Sequence, residues 1–89
     1  MPSPKGKAPL SPTTAEFGRR VRERRNELGL SQEALADAVG LHWTFIGQVE
    51  RGQRNLALHN IVKVAAGLAI DAGNLVTGLP VPTERESEA

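Results

Sequence analysis

The sequence predicts an all-α domain of five short helices, and three observations lead to this fold class. Apolar residues recur at intervals of three and four, the spacing of a helix with one buried face. Residues that cap helices precede these segments and glycines follow them, as Ser31 and Gly40 do around one segment. No strand-like alternation of apolar and polar residues is present. A chain of 89 residues with 39% hydrophobic residues has room for one small core, so we expect a compact single domain.

Capping signals place the first helix and the last two. Helix 1 is expected to begin near Thr13 or Thr14 and to stop at Gly29. Its apolar stripe consists of Phe17, Val21 and Leu28. Helix 4 is expected over about residues 58–67. Its buried side is predicted to hold Leu58, Ile61, Val64, Ala65 and Leu68. Asp71 is the expected cap of a last helix, which runs through Val76 and is closed by Gly78 and Pro80.

Residues 31–50 predict two short helices, helix 2 and helix 3, joined by a tight turn. Ser31 suits the N-cap, and Gly40 is free to take a positive φ that ends the first helix with a sharp change of direction. The apolar face of the first helix holds Leu35, Ala36 and Val39, and that of the second holds Phe45, Ile46 and Val49. Gly52 ends the second helix. This spacing is typical of a helix-turn-helix, whose second helix can enter a DNA major groove.

Charge is distributed unevenly along the chain, although the net charge is only +1. Residues 1–54 hold nine lysines and arginines against six acidic residues, whereas residues 84–89 hold one arginine and three glutamates. The basic part coincides with the helix pair and favours a polyanionic partner. The alternative is that the basic stretch FGRRVRERR is only a solvated helix face.

The two ends of the chain have the composition of disordered segments. We expect a disordered, flexible arm over residues 1–13, a helix-turn-helix domain over residues 14–79 and a disordered acidic tail over residues 80–89. Lys5 and Lys7 give the arm two charges that could follow a DNA backbone or enter a minor groove, against the alternative of a leader without a role.

Several classes of protein are not expected from this sequence. There is no cysteine for a disulfide, no signal-peptide core, and no apolar run long enough to span a bilayer, so we expect a cytoplasmic protein without a membrane. Phosphate-binding and zinc-protease motifs are missing, and His42 and His59 stand too far from other ligands to suggest a metal site. We expect no enzyme activity, no metal and no cofactor.

The stretch RRNELGLSQEALADAVGLHWTFIGQVERGQRNLALHNIVKVAAGL resembles the Cro/C1-type, or xenobiotic response element, helix-turn-helix family of bacterial and phage regulators. Within that family, GLHWTFIGQVERGQRN followed by LALHNI is most similar to controller proteins of restriction-modification systems. The resemblance covers about residues 15–79 and implies a lambda-repressor-like fold. It further implies a sequence-specific transcriptional regulator that binds double-stranded DNA, acts as a homodimer and has RNA polymerase as a further expected contact.

The resemblance also implies roles for individual residues. Base-reading positions in helix 3 correspond to His42, Trp43, Thr44 and Gln48. Phosphate contacts correspond to Gln32, Phe45, Arg51 and Asn55. The alternatives to these roles are an exposed helix-start residue for Gln32, solvated charges for Arg51 and Arg54, and a dimer or partner contact for Trp43. A buried ion pair between Arg25 and Glu50 is expected to link helix 1 to the end of helix 3.

Two residues depart from the controller pattern. Trp43 stands where similar controllers often carry arginine, so it favours a thymine methyl or a stacking contact over guanine. Phe45 replaces a common tyrosine and lacks the hydroxyl that could bond a phosphate. Both changes concern the DNA sequence preferred rather than DNA binding itself.

Assembly is expected to involve the last helix, because one domain reads only a few base pairs and a pseudo-palindromic operator needs two copies. The predicted dimer interface consists of Ile70, Leu75, Val76 and Leu79. The alternative is that these residues only close the core under helix 4. A second hypothesis for the whole chain is an antitoxin-type protein-interaction module in which DNA binding is secondary.

Overall fold

The computed structural model describes residues 8–82 and forms five α-helices with no strand in that range, as predicted. The helices are α1 (Pro12–Glu27), α2 (Gln32–Val39), α3 (Trp43–Glu50), α4 (Leu58–Gly67) and α5 (Ala72–Val76). Most of the predicted arm and tail, including Lys5 and Lys7, lies outside the described residues. Within residues 8–82, no helix combines the length and apolar character that a bilayer crossing requires.

Helix α1 begins earlier than the sequence predicted. Ser11 is its N-cap, and the expectation of a start near Thr13 or Thr14 is wrong. The Ser11 hydroxyl accepts from the Thr14 amide and the Thr14 hydroxyl accepts from the Ser11 amide, each at 3.1 Å. Pro12 occupies the first helical position, where its fixed φ fits and its missing N–H costs nothing. Pro12 and Thr13 were assigned to the arm and belong to the helix.

The start of α1 is tied to the chain just after α3. The Gly52 carbonyl accepts from the Leu10 amide and from the Thr14 hydroxyl, both at 2.8 Å. Gly52 has φ +76°, and a Cβ there would lie 2.9 Å from both Pro9 Cβ and Ala15 Cα. Only glycine fits this backbone conformation in this space. The Gly52 backbone is therefore fixed against the beginning of α1.

The core lies where the helices meet and confirms most of the predicted apolar faces. Eleven buried side chains form it: Phe17, Val21, Leu35, Ala36, Val39, Ile46, Val49, Val64, Ala65, Leu68 and Leu75. Two predicted members are exposed instead. Leu28 follows the last turn of α1 as its C-cap, and Leu58, the first residue of α4, is 75% exposed. Both stand at helix ends, where the apolar stripe no longer faces a neighbouring helix.

Helix α5 corrects the predicted dimer interface. Leu75 is 1% exposed and belongs to the core, so it cannot contact a second copy. Its side chain is buried because α5 packs against both α1 and α4. Ile70 and Leu79 pack partly against the same core, whereas Val76 is 39% exposed. The alternative reading, closure of the core, is therefore right for Leu75.

Arginines of α1 hold the ends of the last two helices. The Arg24 Nε donates to the Leu68 carbonyl at 2.9 Å, and the Arg20 Nη1 donates to the Thr77 carbonyl at 2.7 Å. Both carbonyls lie just after a helix, where the backbone lacks an intrahelical donor. Part of the basic stretch in α1 thus serves the fold.

Candidate nucleic-acid interface

Helices α2 and α3 are joined by the short turn that the sequence predicted. Gly40 is the C-cap of α2 and has φ +71°, and the amides of Gly40 and Leu41 both donate to the Ala36 carbonyl. Helix α3 begins three residues after Gly40. Ala36 and Ile46 are buried between the two helices and the core. This packing fixes the direction of α3 relative to α2.

The first turn of α3 presents three of the four predicted base-reading residues to solvent. His42, Trp43 and Thr44 are exposed, and Trp43 retains 49% of its accessible surface. Gln48 lies one turn further along and is half-buried. The His42 and Trp43 rings stack with their centroids 6.0 Å apart. The structure therefore places His42, Trp43 and Thr44 at the N-terminal end of α3 and Gln48 in its second half.

His42 also has a local role that the sequence analysis missed. It is the N-cap of α3, and its Nδ1 accepts from the Thr44 amide at 3.1 Å. The Thr44 hydroxyl lies against the same nitrogen. Histidine is outside the usual set of N-cap residues, so its position before the helix gave no clear signal.

Arg54 is the second residue whose position the sequence did not reveal. Its guanidinium carbon lies 5.2 Å from the centroid of the Phe45 ring, and its Nε donates to Gln48 Oε1 at 2.8 Å. Phe45 packs in turn against the core. Arg54 lies in the loop after α3, and helical spacing says nothing about where a loop side chain will lie. The loop conformation alone brings it back to α3.

Two of the predicted phosphate-binding residues converge over Gly47. A Cβ at this position would lie 3.2 Å from Arg51 Nη1 and 3.5 Å from Gln32 Oε1, so the missing side chain makes room for both. Gln32 Nε2 donates to Glu50 Oε1 at 3.0 Å. Asn55 is exposed in the loop that follows α3. These positions leave the phosphate assignments as predictions.

The predicted ion pair between Arg25 and Glu50 is present and largely buried. Arg25 Nε lies 2.5 Å from Glu50 Oε2, and Nη2 lies 3.0 Å from Oε1. The two side chains are 12% and 3% exposed. The hydrogen bonds that Arg25 donates to the Glu50 carboxylate raise the pKa of Arg25 above its ordinary value. Arg25 Nη1 also donates to the Leu30 carbonyl, so the pair anchors the chain at both ends of the helix-turn-helix.

Residues 21–74 match the family model HTH_3, described as helix-turn-helix. This chain belongs to the Cro/C1-type helix-turn-helix family. The match spans all of α2, α3 and α4, together with the C-terminal part of α1 and the first part of α5. The resemblance stated from the sequence is confirmed, as is the predicted class of DNA-binding transcriptional regulator.

Members of this family similar to the chain include two control proteins. Control protein C.BamHI of Bacillus amyloliquefaciens is 41% identical over 61 residues, which cover 67% of this chain and 75% of that protein. Control protein C.SmaI of Serratia marcescens is 46% identical over 57 residues, covering 64% and 68%. Similarity to controller proteins is therefore confirmed by sequence.

Solved structures of controller proteins show the same helix-turn-helix fold. The restriction-modification controller protein C.AhdI from Aeromonas hydrophila superposes with a TM-score of 0.68 at 50% identity, over 70% of this chain and 94% of that chain. The controller protein C.Esp1396I, solved as a tetramer in complex with its natural 35 base-pair operator, gives a TM-score of 0.64 at 29% identity, over 66% and 78%.

Proposed function

We propose that this chain is a controller-type transcriptional regulator that binds a pseudo-palindromic operator as a dimer, with α3 in the major groove. One observation carries the proposal: α3 is anchored at its end through Glu50, while its first turn exposes a cluster of aromatic and polar side chains. A helix that enters the major groove needs its first turn free to contact base edges. The operator complex of C.Esp1396I supports the same partner.

Base reading in this proposal falls to His42, Trp43, Thr44 and Gln48. The exposed Trp43 ring offers a large apolar surface for a thymine methyl, and its indole nitrogen is only a donor. Thr44 and Gln48 lie four residues apart and so share one side of α3. Thr44 has two roles: it orients the His42 ring, and it is itself part of the base-reading surface.

Phosphate binding falls to the residues around the reading surface. Gln32 is the first residue of α2, where free amides and the helix dipole favour an anion. The guanidinium of Arg51 lies beside it over Gly47, so a phosphate at this point would meet both side chains. Asn55 extends the set beyond α3, and Phe45 adds apolar contact under Arg54. Such contacts position the protein and carry no sequence information.

The dimer surface in this proposal is centred on exposed apolar residues of α4 and α5. Of the predicted interface residues, Val76 is kept in the proposed surface, and Ile70 and Leu79 are placed at the edge of that surface. Leu58 and Val62 lie one turn apart on α4 and are also exposed. Because α4 packs directly against α5, these residues can form one continuous surface. Burying it against a second copy would remove apolar area from water.

In this role the protein acts in the cytoplasm, where the DNA lies, and catalyses no reaction. Contact with RNA polymerase remains a further expectation of a regulator that acts at a promoter. The antitoxin-type alternative receives no support from C.BamHI, which is named a control protein, or from C.AhdI, which is named a restriction-modification controller protein.

A gel-shift titration tests the proposed function. The probe is the DNA upstream of the gene itself, and the competitor is random DNA of the same length. We expect a discrete complex that resists the competitor, with two copies of the chain per operator. Gln48→Ala is the matched variant and should show a weaker preference for the operator over the competitor. Equal affinity for both DNAs would contradict sequence-specific regulation, and adjacent methyltransferase and endonuclease genes would support the controller role.

A further inference from the structure

We propose that Arg54 is a positioning residue that sets the base preference of Gln48, directing it to guanine and away from adenine. This inference rests on the proposed function, in which Gln48 faces the major groove. The observation behind it is the hydrogen bond from Arg54 Nε to Gln48 Oε1 at 2.8 Å. Neither family resemblance nor spacing assigns Arg54 such a role.

The orientation of the Gln48 amide follows from the chemistry of its partner. A guanidinium carries only donors, so the amide group that meets it must be the oxygen. The Gln48 NH₂ group therefore points away from Arg54. A free glutamine could turn its amide by half a rotation, whereas here that rotation would set two donors against each other. Gln48 is thus held as a donor.

Arg54 is itself held in place by an aromatic ring. Its guanidinium carbon lies 5.2 Å from the centroid of Phe45, within the range of a cation–π interaction. Phe45 is half-buried and packs against the core, so the ring is a fixed support. Phe45 packs against the core, Arg54 lies over Phe45, and Arg54 donates to Gln48 on the reading surface. The amide orientation is thereby linked to a rigid part of the fold.

Holding the oxygen changes which base the amide can read. Glutamine pairs with adenine through an accepted bond from N6 and a donated bond to N7, so it needs both its oxygen and its nitrogen. Guanine offers two acceptors, N7 and O6, and needs only donors. Because the oxygen is turned toward Arg54, the side of the amide that faces away from Arg54 carries the NH₂ group. This group can donate to guanine N7 or O6, whereas it would oppose the adenine amino group. Guanine is therefore the favoured base.

Selection of bound sites from a randomised DNA library tests this role with the full-length chain. The unmodified protein should select guanine at the position whose preference disappears in Gln48→Ala. Arg54→Met keeps an unbranched apolar stem over Phe45 and removes the donor, so the guanine-to-adenine ratio at that position should fall about tenfold. Arg54→Lys keeps a donor and a charge and should restore guanine. Arg22→Met, an exposed arginine on α1, controls for the lost charge and should leave the preference unchanged.

Each other outcome has a definite meaning. Adenine selected by the unmodified protein at the Gln48-dependent position would overturn the inference, and so would an unchanged ratio in Arg54→Met. A Gln48→Ala profile identical to that of the unmodified protein would remove Gln48 from base reading and overturn the inference while leaving operator binding intact. Failure of the unmodified protein to select any site would reject the proposed function and this role with it.

Discussion

Arg25 in the last turn of α1 and Glu50 at the end of α3 are joined by two hydrogen bonds between guanidinium and carboxylate. The same carboxylate accepts from Gln32 at the start of α2. One buried acid therefore connects three helices, including both members of the helix-turn-helix. A charge this deeply buried requires its partners, because an unpaired carboxylate away from water is costly.

Removing one side of this pair should destabilise the domain. Arg25→Ala leaves Glu50 buried without its counter-charge, and we expect a loss of about 3–5 kcal/mol in the free energy of unfolding. Urea unfolding followed by circular dichroism measures it. Arg22→Ala removes an exposed arginine from the same helix and should change stability by less than about 0.5 kcal/mol. Similar losses for the two variants would show that the pair contributes no more than a surface charge.

Shortening Gln48 should weaken operator binding without affecting the fold. Gln48→Ala removes the base contact, so affinity for the operator should fall by about 1–3 kcal/mol while affinity for random DNA stays the same. Thr44→Ala should behave likewise. Fluorescence anisotropy titrations with both DNAs give the comparison, and circular dichroism checks the fold. Parallel losses on operator and random DNA would take the residue out of the reading set.

Arg51 should contribute in a different way, because a phosphate contact is independent of sequence. Arg51→Ala should weaken binding to operator and random DNA alike, and the slope of log affinity against log salt should fall by about 1 per subunit. The same titrations at four or five salt concentrations, with the salt range chosen around the binding midpoint, measure the slope. An unchanged slope would leave Arg51 as a solvated charge.

Neighbouring residues of α5 should respond oppositely to the same substitution. Val76→Glu places a charge on the proposed dimer surface and should give a folded monomer, whereas Leu75→Glu buries a carboxylate in the core and should unfold the domain. Sedimentation velocity reports assembly and circular dichroism reports folding. A Val76→Glu protein that still forms a dimer of unchanged affinity would contradict the proposed dimer surface.

Acid should selectively remove the contribution of Glu16. Hydrogen bonds from Arg19, and then from Arg20, lower the pKa of Glu16 from 4.5 to about 2 in the folded chain. A lowered folded-state pKa means that the ion pair stabilises the fold above about pH 4.5 and that this contribution is lost as the pH falls toward 2. The difference in unfolding free energy between the unmodified protein and Glu16→Gln should be constant near neutral pH and shrink in this acid range. A difference that grows on acidification would contradict the sign.

Helix boundaries and buried faces were largely predictable because they depend on local signals. The caps of α2 at Ser31 and Gly40 and the apolar spacing over residues 58–67 can be recognised from residues close together in the sequence. The start of α1 was placed wrongly although its cap at Ser11 is a local signal, whereas the error in the dimer interface arose because packing between distant parts of the chain decides burial. Leu75 has the same apolar character whether it faces the core or a second copy, and only the packing of α5 between α1 and α4 settles which.

The candidate site was predictable by residue but not by contact. The positions of Trp43 and Gln48 on α3 followed from helical spacing and the family resemblance. The capping bond of His42 depends on the backbone before the helix, and the return of Arg54 to Gln48 depends on a loop without periodicity. Sequence spacing predicts which residues share a face of a regular helix. His42 and Arg54 lie outside α3, one before it and one after it, so spacing did not predict their contacts.

The Gly52 carbonyl accepts from the Leu10 amide and the Thr14 hydroxyl, and this attachment has a consequence for the bending and twisting of bound DNA. With this loop fixed to the start of α1, α3 cannot swing independently to follow an irregular duplex. In the proposed dimer, two such domains would meet two half-sites whose spacing is set by the helical repeat, so bending and twisting would be confined to the base pairs between the half-sites. Operators with stiff central steps should therefore bind more weakly than operators with flexible ones, at positions no side chain touches.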